Sequence, residues 1–527
     1  MPLVRIDNLG VLGVVRDVPA HTLPPEAWSS SLNIRFLDGK AQRILGHTEV
    51  FDPPTLAYKW MTPAPTPSTY FWLMATLTKV HVWNGSVFTD ITRVSGDYSA
   101  TDDALWNGGL LGGVPIINNG VDDPQSWLPK TTPTKLVDLP NWPPSTTAMV
   151  MRPFGNFMVA MDVTKSGTRL EHMVKWSHPA DPGAVPPSWD ETDPTKDAGE
   201  NDLTDVQAGG ILEAWPLGSV LVIYKAGSVW TMQHRGGLFI FDFKRVFGTI
   251  GILATHCAKE IPRKKQHFVA TGDDIVIHNG VEAESVIDRR MRKYLSNLID
   301  TDNFERSYVV ANIAKNEMWF CFPTTGNSVP DRALIWNYVD GGLTERDLPD
   351  ASFISLGIVS ETASKLWDAQ AQSWDTFVGT WDESKFTQQA FDLLMAEPSA
   401  TKLQLLDRND DFNGAIIPAH LERTGLAIVG QDRQGNPRVD FTQRKMVRRV
   451  WIKAEGGPFT VRVGSQEIEE GPVTWSTGQT FTPGVDRYID PATPVSGLLI
   501  AIRFESNSGV QWSVVGYDLE LEILGGF

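Results

Sequence analysis

The chain has 527 residues, 42% hydrophobic and 21% charged, with a formal net charge of −17. That length exceeds one small core and predicts two or three globular domains, while the acidic balance argues against a surface that grips nucleic-acid phosphates. Two cysteines, Cys257 and Cys321, are too few for a disulfide framework or a zinc finger and read as reduced core residues.

In chain order, residues 1–50 read as an extended arm contributing to a platform. Pro24-Pro25 blocks regular pairing, and Asn33-Ile-Arg-Phe36 leads to an Asp38-Gly39 turn. Residues 51–406 carry short apolar runs separated by turns. Asn-Gly recurs after such runs at Asn84-Gly85, Asn119-Gly120 and Asn279-Gly280, with an echo at Asn337. Asn-Gly is a strong hairpin signal, expected to place both turn residues at positive φ. Its recurrence predicts repeated sheet units, as in a β-propeller, although the spacing is irregular.

A long insertion near 177–210 interrupts the pattern. It has little apolar periodicity, and a loop of that length points to a functional segment or one docked on a neighbour. Trp189, Asp190, Asp193 and Asp197 are its candidate docking residues. The best helical pattern spans 288–299, with Ile287, Met291, Tyr294, Leu295, Leu298 and Ile299 on one face and Asp288 or Ser285 as cap. Strands bearing tryptophan are expected near Trp367, Trp374 and Trp381. From 407 to 527 strict alternation, as in Phe459-Thr-Val-Arg-Val463, predicts a β-sandwich or platform. The expected fold class is therefore mainly β, a propeller-like domain with an added sandwich.

Catalytic constellations are not evident. Asp273-Asp274 lacks the ligand ladder of a calcium loop, and the acidic residues between Asp181 and Asp202 read as a solvated loop. His172 and His178 fit no zinc-protease spacing, His256 and Cys257 would face opposite ways on a strand, and neither a nucleophile elbow nor a P-loop is present. No enzyme activity, cofactor or metal is expected. The N-terminus shows no signal-peptide pattern and no apolar run reaches a membrane span, so a soluble protein made in a cytoplasm is expected. Basic residues cluster at Arg263, Lys264 and Lys265, at Arg289, Arg290, Arg292 and Lys293, and at Arg444, Lys445, Arg448 and Arg449. On an acidic body such clusters suit complementary contacts with neighbouring subunits or partners.

Four stretches resemble the tail nozzle (tail tubular, propeller-type) proteins of short-tailed bacteriophages. They are Pro24 to Lys40, Arg152-Pro-Phe-Gly-Asn156 with Lys175 to Asp190, Leu221 to Gly237, and Arg448 to Ile523. The resemblance implies a six-bladed or similar propeller on a β platform, with six copies forming a ring in the virion's short tail, assembled in the bacterial cytoplasm. It also implies a place below portal and adaptor (the head-to-tail connector), a dock for tail fibres or spikes, and a lumen that double-stranded DNA traverses without specific binding. Genome retention and release would follow. The alternatives are a carbohydrate-binding or glycan-cleaving tail propeller, with Trp189 or Trp176 beside two close carboxylates, another tail hub or adaptor component, or a monomeric cellular propeller serving as an interaction module.

Overall fold

The computed structural model describes residues 3–66, 70–102, 105–128, 134–206, 209–237, 239–359, 391–431, 434 and 437–526. Trp367, Trp374 and Trp381 lie outside the described residues. The fold is mainly β, a β-propeller joined to a β-sandwich platform.

Six consecutive four-stranded antiparallel sheets span 60–90, 107–138, 146–202, 211–247, 258–285 and 308–347, and form blades 1 to 6. In each, the strands pair in sequence order, so every blade is a local meander. Blade 7 is composite. Phe353–Ile358, Phe391–Ala396 and Gln404–Leu406 are completed by His47–Glu49, which pairs antiparallel with the third of them. The ring is therefore closed by a strand from the arm. Seven blades stand among the described residues, where the resemblance implied six or a similar number; the seventh is completed by a strand some 350 residues away in sequence from its partner, with Leu405 opposite Thr48. The arm thus serves the propeller as well as the platform.

The propeller core lies between blade faces rather than in one centre. Ile116, Met158 and Trp189 join blades 2 and 3, and Met61, Trp72, Leu394 and Leu405 join blades 1 and 7. Trp72 Nε1 also donates to the Ile358 carbonyl at 3.0 Å across that last seam. Burial of each such aromatic contributes roughly 2–3 kcal/mol, which locks the annulus.

The platform consists of two sheets. One orders Ile34–Leu37, Lys40–Arg43, Trp512–Gly526, Gln443–Gly456 and Tyr488–Ile489, with Leu3–Ile6 also on Trp512–Gly526 and Val495–Gly497 on Gln443–Gly456. The other orders Ser30–Leu32, His420–Leu426, Leu499–Ser506, Phe459–Gln466 and Thr474–Trp475, with Gln479–Phe481 on Phe459–Gln466. Alternating residues such as Val461, Val463, Ile500, Ile502, Val450 and Leu519 enter one core shared with blades 4 to 6. Strands from both ends of the described chain thus build the platform. Asp411–Phe412 and Ala415–Ile416 extend blade 7 before the chain reaches the platform.

Two local expectations need correction. At Asn84-Gly85, Asn119-Gly120 and Asn279-Gly280 only the glycine takes positive φ, at 97°, 78° and 86°. The asparagine instead accepts backbone N–H groups two and three residues on, as Asn84 Oδ1 does from Ser86 and Val87 at 3.0 and 2.9 Å. Asn119, Asn279 and Asn337 repeat this arrangement. The recurring device is an Asx turn, because the side-chain carbonyl replaces the backbone turn bond.

The helix is shorter than its periodicity suggested, running Arg292–Leu298. Arg289 takes φ +56°, which breaks the first turn. Its cap is remote: Asp17 accepts the N–H groups of Lys293 and Tyr294 at 2.8 and 3.1 Å. Ser285 Oγ instead accepts the Asp288 N–H.

Candidate functional site

The basic residues read from sequence do not form one open cationic face. Arg290 donates its guanidinium to the carbonyls of Leu12 and Gly341, pinning the arm to blade 6. Burial lowers its pKa to about 10. Arg292 pairs with Asp273 at 2.5 Å and with Asp274 at 3.6 Å, which also accounts for that acidic turn. Arg289 and Lys293 remain exposed. In the second cluster Lys264 is half-buried and donates to the Tyr338 carbonyl at 2.5 Å, while Arg263 and Lys265 are exposed.

On the platform Arg448 meets Glu522 at 2.5 Å, Arg449 meets Asp490 at 3.0 Å, and Arg444 chelates Glu467 at 2.6 and 2.8 Å. Lys445 is buried among the carbonyls of Asp440, Gln443 and Leu498. Burial lowers the pKa of Lys445 to about 8. Register shifts between Arg444 and Lys445 and between Val447 and Arg449 put the successive arginines Arg448 and Arg449 on the exposed surface. Exposed ion pairs of this kind add little stability, so they are free to exchange partners at a contact.

The insertion is folded back onto blade 3. Trp189 is 1% exposed and packs edge-on against Trp142 at 4.7 Å, so it is core rather than a docking surface. An aromatic in a polar loop gives no sign in sequence of which way it points. Asp190 and Asp193 close local turns by accepting from Thr192 and Thr195, and the Asp197 carbonyl accepts from Trp176 Nε1 at 2.8 Å. Asp190 is exposed; Asp193 and Asp197 are half-buried.

Two carboxylates do converge here. Glu191 and Glu200 share the ammonium groups of Lys165 and Lys175, at 3.3 Å for Lys165–Glu191 and 3.4 Å for Lys175–Glu200, with the two complementary pairs closer still. Burial alone would raise the Glu191 pKa, yet the bonds from Lys175 and Lys165 hold it below the ordinary range. A general acid in glycoside cleavage needs the opposite shift, and Trp176, 8% exposed, offers no open stacking face. The cluster behaves as a rivet for the insertion.

The propeller axis holds polar groups that sequence reading passed over. A cavity of about 390 Å³ is lined by the innermost strands of the blades. Arg152 from blade 3 donates to both oxygens of Glu213 from blade 4 at 2.8 and 2.6 Å. Glu213 also accepts the His256 backbone N–H at 2.9 Å, and His256 Nε2 bonds the Trp106 carbonyl at 2.8 Å. Burial lowers the His256 pKa to about 4, so the ring is neutral at pH 7. Lys259 from blade 5 lies over the Trp215 ring at 4.3 Å. Its available signal was three successive innermost strands, Thr146–Phe154, Ile211–Leu217 and Ala258–Glu260, each carrying a charge.

Cys257 and Cys321 are free and buried, and burial raises both thiol pKa values, consistent with inert core residues. Among the described residues no group of three or more His, Cys, Asp or Glu side chains could hold a metal, and no helix is long and apolar enough to cross a membrane.

No protein-family model matches the sequence, and no curated protein matches it. Among solved structures, the WD40 β-propeller domain of Doa1 is similar at 10% identity and a TM-score of 0.35, covering 69% of this chain and 94% of that one. The chain is a β-propeller protein with a sandwich platform.

Proposed function

We propose that the chain is a subunit of a ring-shaped tail nozzle of a short-tailed bacteriophage. Six copies surround the exit channel below portal and adaptor, retain the genome, release it at infection and dock tail fibres or spikes. The observation that carries this reading is the platform assembled from both ends of the chain and fused to the propeller through buried ions. Arg35 of the arm binds Glu317 of blade 6 and Asp407 beyond blade 7, and Arg346 binds Asp407 at 2.8 Å. A subunit built this way transmits force between a base and a peripheral propeller without hinging. Its role is structural rather than enzymatic.

Charge supports the same reading. A closed ring needs two different, complementary surfaces on each subunit. Arg289, Lys293, Lys265, Arg448 and Arg449 are exposed cations on a body of net charge −17, and they suit an acidic neighbour. Lumen-facing loops that are acidic or neutral would let DNA pass without adhering. Reversing charge at Arg448 and Arg449 to Glu tests the contact role: the folded variant should fail to join tails lacking this chain, in a complementation assay where wild type restores infectivity. Full restoration by the variant would remove those residues from the contact.

A further inference from the structure

We propose that the propeller's axial cavity is a binding site for a small organic anion, a monocarboxylate with a compact apolar or aromatic body. This goes beyond the nozzle reading and stands whether or not the chain forms a ring.

The walls of the cavity are largely apolar, with Trp60, Trp215 and Phe353 as the large aromatic surfaces. Its charged groups do not cancel. Arg152 and Glu213 neutralise each other through two hydrogen bonds. His256 is engaged by the Trp106 carbonyl, and burial keeps it neutral. Lys259 is left as one uncompensated cation: among the described residues no carboxylate approaches its ammonium within salt-bridge distance, and its close contact is the Trp215 face at 4.3 Å. Burial and the Arg152 charge lower its pKa to about 8, against the attraction of Glu213, as expected for an ammonium lacking a partner.

A cation in a cavity of apolar walls is costly unless paired. The missing complement is one negative charge, and the space beside it, about 390 Å³, accepts a ligand of modest size. A carboxylate on the Lys259 ammonium would let an apolar body lie against the rings of Trp60 and Phe353, the Trp215 ring being taken up by Lys259 and Arg152. A phosphate dianion fits less well, because a single free cation balances only one charge and the remaining wall offers little to hydrate the other.

The test is titration of the full chain with 4-phenylbutyrate and with its neutral counterpart 4-phenyl-1-butanol, read by calorimetry and by tryptophan fluorescence. The carboxylate should bind at least about tenfold more tightly than the alcohol, a difference of about 1.4 kcal/mol, and the preference should fade as pH rises through about 8. Lys259→Met should erase the preference and Lys259→Arg should keep it. Lys259→Met should also melt no lower than wild type, since it removes an unpaired charge; a lower melting temperature would make Lys259 a structural group and overturn the assignment. Equal binding of the two probes, or binding of neither to the wild-type chain, would overturn it as well.

Discussion

Arg35 donates from Nε and Nη2 to the two oxygens of Glu317 at 2.5 and 3.0 Å, and both side chains are 1% exposed. The first residue lies in the N-terminal arm and the second in blade 6, so this fork joins platform to propeller. Asp407 accepts a further bond from Arg35 at 2.5 Å, and Trp319 Nε1 donates to Glu317 at 2.8 Å. Removing the cation leaves Glu317 buried without its ion-pair partner, while Asp407 keeps Arg346. Arg35→Ala should therefore destabilise the chain by about 3–5 kcal/mol, measured by urea unfolding. A loss under about 1 kcal/mol would mean that water or a neighbouring cation replaces Arg35.

The buried histidines predict acid sensitivity. Tyr224 Oη bonds His267 Nδ1 and His278 Nε2, each at 2.7 Å. Burial lowers the pKa of His267 to about 4 and of His278 to about 3, from 6.5. The unfolded chain therefore binds protons between pH 6.5 and 4 that the folded chain refuses, and stability falls as pH drops through that window. By pH 4 each ring accounts for on the order of 3 kcal/mol of lost stability. Unfolding midpoints from pH 7 to 4 should fall steeply for wild type, and less steeply for His267→Gln.

The helix cap predicts a local effect. Asp17→Ala removes the acceptor for the Lys293 and Tyr294 amides. Loss of a cap costs roughly 0.5–2 kcal/mol. Hydrogen exchange at those two amides should accelerate while blades 1 to 3 stay protected. Unchanged exchange at both would show that another group caps the helix.

Trp189→Ala should release the insertion. The ring fills a buried seam beside Trp142, and truncating such an aromatic costs about 3–5 kcal/mol. Limited proteolysis should then cut within 177–198 well before wild type is cleaved. Equal resistance would place the anchoring in the Lys165, Lys175, Glu191 and Glu200 rivet alone.

The repeated sheets were legible because blades 1 to 6 are local: their strands follow one another, and short apolar runs mark them. The platform strands were legible through strict alternation, as in Phe459–Gln466. What sequence hid was long-range. His47–Glu49 closes blade 7 across hundreds of residues, and Asp17 caps a helix 276 residues away. The site was less visible for the same reason. Arg290 looked like an exposed helix residue because nothing local reveals the carbonyls of Leu12 and Gly341 that take it up. Arg152, Glu213 and Lys259 meet only after the blades close into a ring.

The nozzle reading is tested most directly by electron microscopy of the parent particle at a resolution that traces side chains. The expected result is six copies of this chain ringed around the channel below the adaptor, with Arg289, Lys293, Arg448 and Arg449 at contacts with neighbouring chains. Absence of the chain from the tail, or its presence only as isolated copies away from the channel, would contradict it.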